Sequence, residues 1–82
     1  MKKLLNTVYV TTEGAALRLE GETLVAEIEG ADKTRVPLHM LASVVVFGPV
    51  LLTPALIAAC AERGITIALM GRNGRFQARV EG

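Results

Sequence analysis

The hydrophobic pattern is strongest in residues 43–69, which include an 18-residue uncharged run over 44–61. A run of that length can cross a bilayer as a helix. Two interruptions argue against a membrane helix, because Gly48-Pro49 breaks any helix begun in the preceding valines and Thr53-Pro54 is a typical helix start. We therefore predict a soluble core segment consisting of a strand, a tight turn, a helix and a second strand.

Most of the remaining chain shows the two-residue alternation of strands. We predict strands over residues 4–10, 15–19, 22–29, 33–38, 44–47, 65–70 and 75–80, and one helix over 54–63. Gly64 provides a left-handed stop for the helix, and Leu52 and Ile57 are placed to form a hydrophobic staple at its start. The predicted fold class is mostly β (α+β), a small two-sheet domain resembling a β-sandwich with one short helix.

Local signals also predict how the strands pair. A turn at Glu20-Gly21 places Leu17 opposite Leu24 in a hairpin, and Ala15 opposite Ala26. The strand over 33–38 should lie at a sheet edge or end at Pro37, since proline cannot donate to a ladder. The strands over 44–47 and 65–70 are separated by enough chain for a parallel crossover.

The end of the chain predicts a second hairpin. Arg72-Asn73-Gly74-Arg75 has the pattern of a type I′ turn. Strict alternation after it would direct Arg75, Gln77 and Arg79 to one face, and Phe76, Ala78 and Val80 to the other. Arg72, Arg75 and Arg79 would then form a cluster with no acid in the local sequence. Such a cluster can contact DNA phosphates, or it can be solvated or paired with Glu27 and Glu29.

Composition limits the classes of function. A single domain of 82 residues with 51% hydrophobic residues has more apolar surface than it is expected to bury alone. Either a partner covers this surface or the chain is part of a longer protein, and the end at 80–82, just after a strand, favours the second explanation. The net charge of +1 indicates no field that would recruit nucleic acid to the whole molecule.

The candidate chemistry is sparse. The one cysteine, Cys60, is predicted to be a buried structural thiol, and His39 a turn or core residue. The acids show no metal-ligand spacing, and Gly71 to Gly74 lacks the lysine of a phosphate loop. The basic start is interrupted by Asn6-Thr7, so we expect no signal peptide and a cytoplasmic protein. No catalytic, metal or cofactor site is predicted.

A collinear set of segments resembles a known family. The matching segments are Leu5-Asn6-Thr7-Val8-Tyr9-Val10, Gly21-Glu22-Thr23-Leu24-Val25, Val36-Pro37-Leu38 with Leu41, Val45-Val46-Phe47-Gly48, Thr53-Pro54-Ala55-Leu56, Ala61-Glu62-Arg63-Gly64-Ile65 and Asn73-Gly74-Arg75-Phe76. Together they look like the N-terminal β domain of the CRISPR-associated spacer integrase. The opening Lys2-Lys3-Leu4-Leu5-Asn6-Thr7 and the Ala61-Glu62-Arg63-Gly64 segment look most like the I-C subtype.

The resemblance implies a metal-dependent DNA endonuclease that inserts spacers into CRISPR arrays during antiviral defence. In that family Mg²⁺ or Mn²⁺ is bound by a C-terminal helical domain, which would lie outside residues 1–82. No catalytic or metal-binding role therefore transfers to Asp32, His39 or Glu62. The implied role of this domain is homodimerisation. The implied partners are a small companion subunit, DNA (prespacer and CRISPR repeat) and, in some subtypes, an iron–sulfur trimming nuclease.

Two other functions compete with this interpretation. One is a free-standing nucleic-acid-binding module that uses Arg72, Arg75 and Arg79 beside Phe76. The net charge of +1 and the 4% aromatic content disfavour it, because single strands bind to stacking platforms in basic grooves. The other is an anion site at the helix start near Thr53, where an ordinary cap is the simpler explanation.

Overall fold

A computed structural model of the chain describes residues 2–4, 6–28 and 33–81. Within these residues the strands are β1 (Lys2–Leu4), β2 (Thr7–Val10), β3 (Ala16–Glu20), β4 (Thr23–Glu27), β5 (Thr34–Pro37), β6 (Ser43–Phe47), β7 (Leu51–Leu52), β8 (Thr66–Met70) and β9 (Phe76–Val80). The helix α1 (Pro54–Glu62) connects β7 to β8, and a short 3₁₀ helix (Leu38–Met40) connects β5 to β6.

The strands form two sheets. One sheet has five strands in the order β1-β2-β6-β8-β9, and the other has four in the order β5-β4-β3-β7. The predicted class, a mostly β domain of two sheets with one short helix, is confirmed. The parallel pairing of β6 with β8 and the edge position of β5, which ends at Pro37, are confirmed as well.

The core lies between the sheets and is closed by α1. Alternate residues of β2, β6 and β8 point inward, and α1 packs on both β3 and β8, so it contacts a strand from each sheet. The buried side chains that share this core include Val8, Val10, Leu17, Leu24, Leu38, Val44, Val46, Leu56, Cys60, Ile65 and Ile67. Residues far apart in sequence therefore contribute to one hydrophobic cluster.

The uncharged run over 44–61 is divided between three elements, β6, β7 and α1, with Gly48-Pro49 and Thr53 between them; the short strand β7 was not predicted. Thr53 caps α1 by accepting a hydrogen bond from the Leu56 N–H at 3.3 Å, and Pro54 occupies the first turn. Gly64 adopts a φ of +69° just after the helix. Leu52 and Ile57 are half-buried and both pack against the core. Among the residues described, no helix is both long enough and apolar enough to cross a membrane.

Two strand predictions were wrong in detail. The predicted first strand over 4–10 is divided into β1 and β2, which pair antiparallel with Leu4 opposite Thr7. In the β3–β4 hairpin Leu17 lies opposite Ala26, and Leu19 opposite Leu24. The register differs by two residues because the turn is at Gly21-Glu22. Since side chains alternate with a period of two, this shift leaves the same residues facing the core.

We expect Leu17→Ala to lower the free energy of unfolding of the chain by about 2–5 kcal/mol, because it removes a fully buried side chain and leaves a cavity. The matched control is Leu51→Ala, since Leu51 is 67% exposed. We expect the control to change stability by less than about 1 kcal/mol. Urea denaturation followed by circular dichroism measures both, and equal effects would contradict the assigned core.

Candidate functional site

The β8–β9 hairpin carries the three arginines that the sequence singles out. The Gly71 N–H donates to the Arg75 carbonyl at 2.7 Å, and the Gly74 N–H donates to the Gly71 carbonyl at 2.9 Å. The loop therefore spans the three residues 72–74, with Gly74 at a φ of +82°. The predicted two-residue type I′ turn was wrong, because Arg75 pairs with Gly71 rather than with Arg72. A three-residue loop with a left-handed glycine is the next most common hairpin connection.

A bulge in β9 changes which side chains share a face. Leu69 lies opposite Ala78, but Met70 lies opposite Phe76, so Gln77 has no partner in the ladder. The extra residue interrupts the alternation. Phe76 and Arg79 consequently lie on the same face, with the Arg79 guanidinium 5.7 Å from the centre of the Phe76 ring. The prediction that Phe76 and Arg79 face opposite ways was wrong.

The three arginines have different surroundings. Arg72 forms an ion pair with Glu13 at 2.7 Å, and Arg79 forms one with Glu81 at 3.5 Å. The Arg75 side chain is exposed, and it forms no ion pair with any of the residues that the structure describes. Pairing with Glu27 was one of the alternatives that the sequence left open, and Glu27 instead pairs with Arg18 at 2.6 Å. Glu29 lies outside the described residues.

The other residues that the sequence suggested for chemistry do not cluster with one another. His39 is exposed in the 3₁₀ helix and Glu62 is exposed at the end of α1, while Asp32 lies outside the described residues. No group of three or more His, Cys, Asp or Glu side chains that could hold a metal occurs within residues 2–4, 6–28 and 33–81. Cys60 is fully buried in the core, and this burial raises the pKa of its thiol.

The two outer faces of the sandwich differ in polarity. On the four-stranded sheet, Arg18 pairs with both Glu20 and Glu27 at 2.6 Å. The hydrogen bond from Arg18 lowers the pKa of the Glu20 carboxyl. Val25 is fully buried on this charged face and lies between Arg18 and Arg35 in the strand register.

The outer face of the five-stranded sheet is apolar near the β6–β7 and β8–β9 loops, while Thr7, Ser43, Thr66 and Arg79 lie elsewhere on the same face. Register and alternation place on it the half-buried or exposed side chains of Tyr9, Val45, Phe47, Ala68, Met70 and Phe76. Phe76 is 54% exposed, unusually high for a residue of its size. We call this set the apolar outer face. The sequences of β6 and β8 lack the alternation of apolar and polar residues that is typical of a strand with one solvated face. This was the signal in the sequence that side chains on both faces of the sheet are apolar.

Comparison with known proteins identifies the family. Residues 8–82 match the family described as CRISPR associated protein Cas1. A curated relative, the CRISPR-associated endonuclease Cas1 2 of Rhodospirillum rubrum, is 68% identical over all 82 residues. The chain spans 24% of the length of that relative.

Solved structures share the fold. A partial Cas6-RT-Cas1–Cas2 complex matches with a TM-score of 0.85 over 93% of this chain and 23% of the matched chain, at 16% identity. A TtCas1–DNA complex matches with a TM-score of 0.79 over 100% of this chain and 32% of the matched chain, at 24% identity. The fold is therefore that of a two-sheet β domain found in Cas1 proteins. This chain belongs to the Cas1 family of CRISPR-associated proteins.

We expect the Cys60 thiol of the folded chain to react with a disulfide reagent at least about tenfold more slowly than in guanidinium-unfolded chain, because burial excludes the reagent and raises the thiol pKa. Since the folded state favours the protonated thiol, the rate of the folded chain should continue to rise with pH above the ordinary pKa of cysteine, where the rate of the unfolded chain levels off. Absorbance stopped-flow over a range of pH measures this. Equal rates for folded and unfolded chain would show that Cys60 is accessible.

Proposed function

We propose that this chain is the N-terminal interaction domain of a metal-dependent CRISPR-associated DNA endonuclease and integrase that acquires new spacers. The observation that carries this proposal is the 68% identity to a protein named as a Cas1 endonuclease, over the whole of this chain but only 24% of that protein. The finer I-C assignment rests on the sequence resemblance of the opening residues and of the segment over 61–64.

We assign catalysis to parts of the intact protein other than residues 1–82. The Mg²⁺ or Mn²⁺ that the family implies does not fit the described residues, because His39 and Glu62 lie apart and belong to no cluster of ligands. These residues would therefore carry no metal-dependent catalytic step. The domain would contribute architecture and contacts to the reaction.

The proposed macromolecular partners are a Cas2 subunit and DNA. Proteins with the same fold were solved as a partial Cas6-RT-Cas1–Cas2 complex and as a TtCas1–DNA complex. Within this chain, Arg75 is the best candidate for a phosphate contact, since it is exposed and not engaged by an acid of the described residues. Arg79 is a weaker candidate because Phe76 and Glu81 occupy its guanidinium. The iron–sulfur nuclease remains a prediction from the family resemblance.

A free-standing nucleic-acid-binding module is not favoured. Such a module would need several cations on one surface. The net charge is +1, and two of the three arginines of the hairpin are paired with acids.

The domain is also proposed to form a homodimer through the apolar outer face. The four-stranded sheet presents charged and ion-paired side chains to solvent, whereas the five-stranded sheet presents Phe47, Met70 and Phe76. A second copy related by two-fold symmetry would cover this face with an identical apolar surface.

We expect the 82-residue chain to cleave no DNA in the presence of Mg²⁺ or Mn²⁺, while the intact protein that contains it cleaves or joins DNA in a metal-dependent manner. The reason is that the described residues provide no set of metal ligands. Gel assays with labelled duplex and branched DNA measure both activities. Cleavage by the highly purified chain alone would contradict its non-catalytic role, and an inactive intact protein would contradict the enzyme assignment.

We expect Phe76→Glu to convert the dimeric chain to a monomer, because it places a charge in the apolar outer face. The matched control is Leu51→Glu, which adds the same charge at the exposed edge strand β7. Light scattering at micromolar concentration measures the mass of each variant. A parent chain that is monomeric at high concentration would contradict this interface. So would a dimer that is disrupted by Leu51→Glu but not by Phe76→Glu.

A further inference from the structure

Arg72 lies where three loops meet at one end of the sandwich. Its Nε lies 2.7 Å from a carboxylate oxygen of Glu13, and this ion pair joins the β8–β9 loop to the β2–β3 loop. Its Cγ lies 3.1 Å from the position that a Cβ at residue 48 would occupy. The stem of the arginine therefore lies on Gly48 in the β6–β7 loop, so one side chain contacts both neighbouring loops.

Backbone hydrogen bonds join the same loops independently. The Gly48 N–H donates to the Met70 carbonyl at 2.9 Å, at the end of β8. The Gly14 N–H donates to the Pro49 carbonyl at 3.3 Å. Gly48 has a φ of +73°, which glycine adopts without strain, and its missing side chain leaves room for Arg72. The three loops thus form one connected unit, with Arg72 as its side-chain contact.

We propose that Arg72 is a positioning residue which, with Glu13 and Gly48, clamps the β8–β9 hairpin to the two neighbouring loops. We call these three residues the loop clamp. The positive charge of Arg72 is compensated by Glu13, so it is a poor ligand for phosphate. The clamp instead holds the hairpin that carries Arg75. A contact between Arg75 and DNA rests on the proposed function, whereas the clamp itself does not.

The clamp acts on local motion rather than on overall stability. The side chains of Arg72 and Glu13 are 68% and 59% exposed, and exposed ion pairs contribute little to the stability of a whole domain. Loops, however, open in local fluctuations that involve few contacts. A side chain that bridges two loops can therefore change their opening while leaving global unfolding nearly unchanged.

Hydrogen exchange of the intact protein that contains this chain tests the clamp directly. We expect Arg72→Ala and Glu13→Ala each to accelerate exchange of the Gly14, Gly48 and Gly74 amides by about two- to fivefold, the size expected for an exposed pair. The double variant should exchange no faster than either single variant, because both remove the same contact. Arg75→Ala is the matched control on the same hairpin and should leave these amides unchanged. Unchanged exchange in the Arg72→Ala variant, or additive effects in the double variant, would overturn the proposal.

DNA binding of the same protein as a function of salt separates positioning from contact. We expect Arg75→Ala to reduce the slope of log affinity against log salt by about one, as for the loss of a phosphate contact. Arg72→Ala should weaken binding without changing the slope. A slope reduced equally by Arg72→Ala would make Arg72 a phosphate contact and overturn its positioning role. If the intact protein binds no DNA, the proposed function fails, and hydrogen exchange alone decides the clamp.

Discussion

Packing of α1 between the two sheets is the interaction on which the rest of the structure depends. The helix contacts β3 in one sheet and β8 in the other, and it buries Leu56 and Cys60 in the common core. A sandwich this small has few residues with which to exclude water from its open sides. The helix fills one of these sides and makes the crossover that lets β6 and β8 pair in parallel. The cap at Thr53 and the stop at Gly64 therefore set both the helix length and the position of β8.

The core also determines where functional surfaces can lie. Because the inner faces of both sheets are used for packing, partners can only contact the outer faces, the edges and the loops. One outer face carries the Arg18, Glu20 and Glu27 ion pairs, and the other carries half-buried aliphatic and aromatic side chains together with the exposed Phe76. This asymmetry fits a domain that associates through one face while the opposite face remains solvated. It also explains how a chain with 51% hydrophobic residues can have a conventional core and still expose apolar surface.

Local sequence signals predicted the helix and most of the strands, but not the division of residues 4–10 into two strands, the short strand β7 or the strand register. Thr53-Pro54 and Gly64 set the helix because capping depends on a few adjacent residues, and Pro37 marked an edge strand because it lacks a donor. The β3–β4 register was missed because a shift of two residues keeps the same side chains in the core, so the hydrophobic pattern is indifferent to it. The bulge at Gln77 was missed because it depends on how β9 pairs with β8, which the pattern of a single strand does not contain.

The arginines illustrate the same limit at the candidate site. No acid lies within residues 63–79, which suggested one cationic cluster, yet Arg72 is paired with Glu13 from the distant β2–β3 loop. Tertiary structure brought these residues together through loops already connected by the backbone hydrogen bonds of Gly14 and Gly48. The bulge then placed the Arg79 guanidinium over the Phe76 ring. Three residues of one type in one hairpin consequently have three different environments. Since the charge available to a partner depends on these environments rather than on the count of arginines, the hairpin presents one uncompensated cation, Arg75, among the residues that the structure describes.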